Sequence, residues 1–138
     1  VIVIDANVAI KWVIKQPLRE RALAILAHSV VLVAPAMFVG EVTTAVWQYV
    51  RAGQISDEQA REGLLLIMNQ VSIFEDDAVL AEEALSIGVE LKYAPYDCFY
   101  LTSAMRRRVP LVTADRRLVN RLATTPYKSH VIHLTDWT

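Results

Sequence analysis

The chain has 138 residues, 54% of them hydrophobic, with a formal net charge of −1 and one cysteine; its mean hydropathy is +0.33. That length suits a single domain over residues 1–138, and a lone cysteine excludes an internal disulfide and fits a reducing, cytoplasmic setting. The apolar residues are dispersed, so no run approaches the ~18–20 residues of a membrane span, and no basic, apolar leader opens the chain.

Val1–Ile4 reads as a short strand buried on both faces, of the kind found at the centre of a parallel sheet, and it ends abruptly in Asp5-Ala6-Asn7. Ligands collect at the carboxyl ends of such strands, which makes Asp5 a candidate site residue. Asp is equally a favoured helix N-cap. Val8–Lys15 is expected as a short helix ended by Pro17, Leu18–His28 as a second, and Val30–Ala34 as a second buried strand stopped by Pro35. Met37–Arg51 follows as a long helix ending at Gly53, with Phe38, Val42, Ala45 and Tyr49 as its apolar stripe and Val46 on one flank. At 100° per residue Glu41 lies about 60° from Phe38, facing inward or at the rim of the core. A carboxylate there is unfavourable unless paired or bound to a cation; the alternative is a packed stem with its head in water. Trp47 points to the opposite side and suggests a covered surface, as does the high apolar fraction.

Ser56 and Gln59 have capping-box spacing at the start of a helix that runs to Gln70. Val71–Phe74 is a third strand, and Asp76 and Asp77 open a helix over Ala78–Leu91. These two acids, with Glu82 and Glu83, read as capping and dipole-complementing residues on a wet face. Pro95 begins a helix to Arg108 with Asp97 at the head of its apolar face, where the helix dipole and free N–H groups would hold it ionised. Leu111–Thr113 is a fourth strand, Asp115 starts a helix that carries Arg116, Arg117 and Arg121, and Val131-Ile132 is a last short strand. Alternating strands and helices without linkers predict an α/β fold with one parallel sheet and helices on both faces.

Charge is uneven along the chain. Residues 106–128 hold seven bases and one acid, whereas residues 75–90 hold six acids and no base. The first block could form a basic face for a polyanion, or a solvated surface balanced by acids elsewhere.

Asp5, Glu41, Asp97 and Asp115 form the candidate constellation. Asp5 and Asp115 follow strands of one sheet, and Glu41 and Asp97 lie in the first turns of helices that start near the same edge. Four converging carboxylates without a base would repel, and a divalent cation resolves the conflict. Oxygen ligands without His or Cys suit Mg²⁺ or Mn²⁺. Such ions activate water and stabilise the leaving oxygen in phosphodiester hydrolysis. His28, His130 and His133 have no ligand spacing, and Cys98 reads as a small core residue.

The ordered blocks Val3-Ile4-Asp5-Ala6-Asn7, Glu41 in its helix, Ala94-Pro95-Tyr96-Asp97 with Tyr100-Leu101-Thr102-Ser103-Ala104, and Leu111-Val112-Thr113-Ala114-Asp115-Arg116-Arg117-Leu118 resemble the PIN-domain ribonucleases, in particular the VapC-type toxins of toxin–antitoxin pairs. The similarity covers essentially the whole chain. It implies a three-layer α/β/α PIN-like domain with a central parallel sheet and a metal-dependent endoribonuclease using Mg²⁺ or Mn²⁺. It also implies a cognate small, VapB-like antitoxin and a homodimer. Asp5, Glu41, Asp97 and Asp115 match the family's acidic quartet, which carries catalysis and metal binding. Asn7 matches the polar position two after the first acid, and Thr113 the hydroxyl position before the last; both are supporting residues. Arg116, Arg117 and Arg121 could hold RNA phosphate. The rivals are a non-toxin PIN nuclease or RNA-binding module, and an aspartate-dependent phosphatase. A phosphatase of that kind would normally place a second Asp where Asn7 stands, and a non-catalytic module would usually have lost acids that are all present here.

Overall fold

The computed structural model describes residues 1–138. Five strands, β1 (Ile2–Ile4), β2 (Leu32–Pro35), β3 (Ile73–Glu75), β4 (Leu111–Thr113) and β5 (Val131–His133), form one sheet in the order β3-β2-β1-β4-β5. Every pairing is parallel. Seven α-helices cover it: α1 (Ala6–Ala9), α2 (Arg19–Ala27), α3 (Met37–Arg51), α4 (Asp57–Gln70), α5 (Asp77–Leu91), α6 (Pro95–Arg107) and α7 (Arg116–Leu122). The result is a three-layer α/β/α fold, as the alternation predicts.

The strand order explains the composition of β1. It lies in the middle of the sheet with helices on both sides, so all of Ile2–Ile4 is buried and Val3 and Ile4 are fully inaccessible. Each such side chain contributes roughly 1.5–3 kcal/mol by leaving water. β3 is an edge strand, and Ile73 and Phe74 remain exposed on it. The chain moves outward from β1 through β2 to β3, then returns to place β4 on the other flank of β1. That reversal makes the carboxyl ends of β1 and β4 the topological switch point, the position at which open α/β sheets leave a crevice.

Most helix boundaries follow local chemistry. Ser56 and Gln59 form the expected capping box at α4, and Asp76 caps α5 through the Ala78 amide. Asp77 does something else: its Oδ1 accepts from the Met37 N–H at 3.2 Å and so caps α3, a helix distant in sequence. The expected helix over Val8–Lys15 is shorter and begins earlier. Asp5 starts α1 directly, and the chain tightens into a 3-10 turn over Ile10–Trp12. The α3 stripe is rotated from the predicted one: Phe38, Val42 and Val46 are buried, while Ala45 and Tyr49 are only half-buried. This rotation leaves Glu41 at the rim of the core, one of its two expected placements, with the residue exposed overall and its carboxylate on the Tyr100 hydroxyl. Trp47 is exposed as expected, with the Arg51 guanidinium 5.4 Å from its ring.

The two charge blocks meet. Arg106 pairs with Glu83 at 2.9 Å, and Arg107 pairs with Glu75, which also accepts from Ser103 Oγ at 2.7 Å. The acids of residues 75–90 thus pair with two of the seven bases, Arg106 and Arg107, and the other five have no ion pair with them.

Candidate active site

The turn after β1 is held from both sides. Asp5 caps α1, with Oδ1 accepting from the Asn7 N–H at 3.3 Å. Its Oδ2 accepts from Thr113 Oγ1 at 2.8 Å, across to the end of β4. Thr113 Oγ1 in turn accepts from Asn7 Nδ2 at 3.2 Å and from the Asp115 N–H at 3.1 Å. Asn7 Oδ1 accepts from the Ala114 N–H at 3.0 Å. A hydroxyl has one proton and two lone pairs, and all three of Thr113 are engaged. Asp5 thus both caps a helix and sits at the switch point. Asn7 and Thr113 lock its carboxylate and tie β1 to β4 at their carboxyl ends.

The other acids approach this turn from the helices. Asp97, the third residue of α6, is half-buried, and its charge acts on both Asp5 and Glu41. Asp115 acts in turn on Asp97. Asp115 also caps α7, with Oδ1 accepting from the Arg117 and Leu118 N–H groups at 2.9 and 3.3 Å. Glu41 Oε1 accepts from the Tyr100 hydroxyl at 3.1 Å. Asp97 is the member that touches every other acid electrostatically.

These acids disfavour one another's ionisation. Burial, against the Thr113 hydrogen bond and with added repulsion from Asp97 and Glu41, raises the Asp5 carboxyl to about 7. Glu41 is raised by desolvation of its carboxyl and by the charges of Asp97 and Asp77, against the Tyr100 hydrogen bond. Asp97 is raised by burial and by the charge of Asp115, against a hydrogen bond from Tyr93. At Asp97, burial and a neighbouring carboxylate therefore work against the helix dipole that the sequence places there.

The PIN-domain sequence profile matches residues 2–123. The chain belongs to the PIN-domain family. Solved structures share its fold. VapBC2 from Rickettsia felis bound to a DNA fragment from the promoter is similar at a TM-score of 0.69 and 15% identity, covering 99% of this chain and 98% of that one. PAE2754 from Pyrobaculum aerophilum aligns at 0.68 and 21% identity, over 97% and 83%. A toxin–antitoxin complex from Klebsiella pneumoniae aligns at 0.67 and 19%, over 97% and 98%. No curated protein matches the sequence significantly.

PIN domains are nucleases, and the family implies a divalent cation. The donor chemistry of this PIN domain fits one. The clustered groups are all carboxylates, no Lys or Arg forms an ion pair with Asp5, Glu41 or Asp97, and their acidities are displaced as those of anions lacking a counter-charge. No three His, Cys, Asp or Glu side chains close tightly on a single point. A divalent cation that keeps several of its own waters and takes only one or two carboxylates directly would suit such an open set. A phosphoaspartate at Asp5 fits poorly, since the residue is only 4% exposed and both its oxygens are engaged.

The three arginines are placed differently from one another. Arg116 contacts His133 Nδ1 at 2.9 Å, Thr135 Oγ1 at 3.0 Å and Asp136 at 4.0 Å. Arg121 donates to the Leu91 carbonyl. Arg117 has no ion-pair partner and faces the acidic side, where its charge acts on Tyr93. Residues that carried no role in the sequence complete the surroundings. Tyr100 reaches Glu41. Tyr93 lies near Asp97 and favours its ionised form. His133 holds the turn before Asp115, with Nε2 3.2 Å from the Ala114 carbonyl. The Thr135 N–H, which can only donate, points at His133 Nδ1 at 3.2 Å, so the ring proton lies on Nε2 and is donated to Ala114. Only Tyr100 left a trace in the sequence: three residues after Asp97, it lies about 60° from it on the helical wheel.

Proposed function

We propose that this PIN domain is a metal-dependent endoribonuclease and the toxin of a VapBC-type pair. It acts in the cytoplasm as a homodimer and is restrained by a small VapB-like antitoxin. The observation that carries the reading is the group of carboxylates at the switch point with no base among them. The toxin–antitoxin complex from Klebsiella pneumoniae and VapBC2 from Rickettsia felis support the antitoxin partner, since they share the fold over nearly their full lengths.

In this reading Asp5, Glu41, Asp97 and Asp115 present oxygens toward Mg²⁺ or Mn²⁺. A divalent ion held there would supply Lewis acidity toward a phosphate and make a water more acidic. Asn7 and Thr113 keep the Asp5 carboxylate in one orientation, and both Asp5 oxygens retain a lone pair beyond those they use. Arg117 offers a free guanidinium to the RNA backbone, and Arg116 and Arg121 stiffen the surface beside it. Total cellular RNA incubated with Mg²⁺, Mn²⁺ or EDTA tests the proposal. Wild type should give discrete, metal-requiring fragments that Asp5→Asn does not. Equal cleavage by both proteins would overturn the assignment of the acidic site.

A further inference from the structure

Glu41 poses a problem for any use of its carboxylate. It lies on the exposed rim of α3, on a flexible side chain, and no Lys, Arg or His pairs with it. The charges of Asp97 and Asp77 push against it. Repulsion and side-chain entropy both favour a swing into water, away from Asp5. In the structure it does not swing out, because the Tyr100 hydroxyl donates to Oε1 at 3.1 Å.

Tyr100 is itself fixed. It is 1% exposed, packed into the main core from the middle of α6. The Ala6 amide, an otherwise unpaired donor in the first turn of α1, approaches the same hydroxyl oxygen. The hydroxyl therefore lies beside the helix that Asp5 caps and donates to the helix that carries Glu41.

We propose that Tyr100 is a positioning residue: its buried hydroxyl holds the Glu41 carboxylate toward Asp5 and Asp97, so that these acids can serve one cation. This rests on the metal-dependent reading above and adds a residue to it. Groups that orient metal-binding side chains typically change affinity or activity by about 10–100-fold when removed.

The test is a double-mutant cycle read by Mn²⁺ binding, without RNA. Tyr100→Phe keeps the ring and deletes only the oxygen. It should raise the Mn²⁺ dissociation constant about tenfold or more, while its metal-free circular dichroism matches wild type. Adding Tyr100→Phe to Glu41→Gln should weaken binding no further, because the hydroxyl acts only through that carboxylate. Unchanged Mn²⁺ affinity in Tyr100→Phe, or penalties that add in the double variant, would overturn the role of Tyr100 and leave the metal site standing. Wild type that binds no Mn²⁺ would overturn the metal site and this proposal together.

Discussion

Two regions of this protein are rich in carboxylates, and they differ in what neutralises them. On the α5–α6 side Glu83 and Glu75 are met by Arg106 and Arg107. At the carboxyl edge of β1 and β4, Asp5, Glu41 and Asp97 are met only by hydroxyl and amide donors and by one another. All three acids of the second region are pushed upward in pKa by burial and by neighbouring carboxylates. An acid with a base beside it is explained by folding. A set of acids that folding leaves in mutual repulsion needs a ligand to explain it.

The sharpest way to break this contrast is to neutralise one acid in each region. Asp5→Asn should reduce RNA cleavage by more than the roughly 10–100-fold typical of an outer-shell change, measured as initial rates at saturating Mn²⁺. Metal-free stability should respond in the opposite sense. The Asp5 carboxyl sits near 7 in the fold against an ordinary 3.8, so the unfolded chain gives up its proton first as pH rises. The folded state then binds more protons, and stability falls from about pH 4 to about pH 7, by an amount on the order of a few kcal/mol. Thermal melts in EDTA should show that decline in wild type and a flatter profile in Asp5→Asn. Addition of Mn²⁺ at pH 7.5 should restore wild type alone.

A smaller effect is expected at the rim. Arg117→Glu should weaken RNA binding several-fold and reduce the slope of log affinity against log salt by about one phosphate contact; filter binding with the cleavage-deficient Asp5→Asn background measures both. The smallest belongs to the paired region. Glu83 and Arg106 are both well exposed, so Arg106→Ala should shift stability by less than about 1 kcal/mol and leave cleavage unchanged. A large loss of cleavage there would mean that the paired acids are also part of the site.

The contrast was only half legible in the sequence. Asp5 and Asp115 could be placed because both directly follow strands, and a parallel sheet puts all strand ends on one edge. Asp97 could be assigned to an inward helix face, yet its shifted acidity depends on how α6 lies against the sheet, which no local pattern encodes. Glu41 was expected inward or at the rim of the core, and the rotation of the α3 stripe toward Val46 decides for the rim, where its carboxylate still reaches the Tyr100 hydroxyl. The opposed charge blocks were visible as composition, but their pairing came from the packing of α5 on α6. His133 joined the site through its register opposite Thr113 across β4 and β5, a relation that only the folded sheet supplies.

The most direct test is isothermal titration of Mn²⁺ into metal-free wild type and Asp5→Asn at pH 7, repeated in two buffers of different ionisation enthalpy. The account predicts saturable binding to wild type with release of a proton, because a cation must displace the proton that Asp5 partly holds near that pH. It predicts much weaker binding to Asp5→Asn, with little proton release. Equal binding to the two proteins, or none to wild type, would contradict the claim that these acids form a cation site.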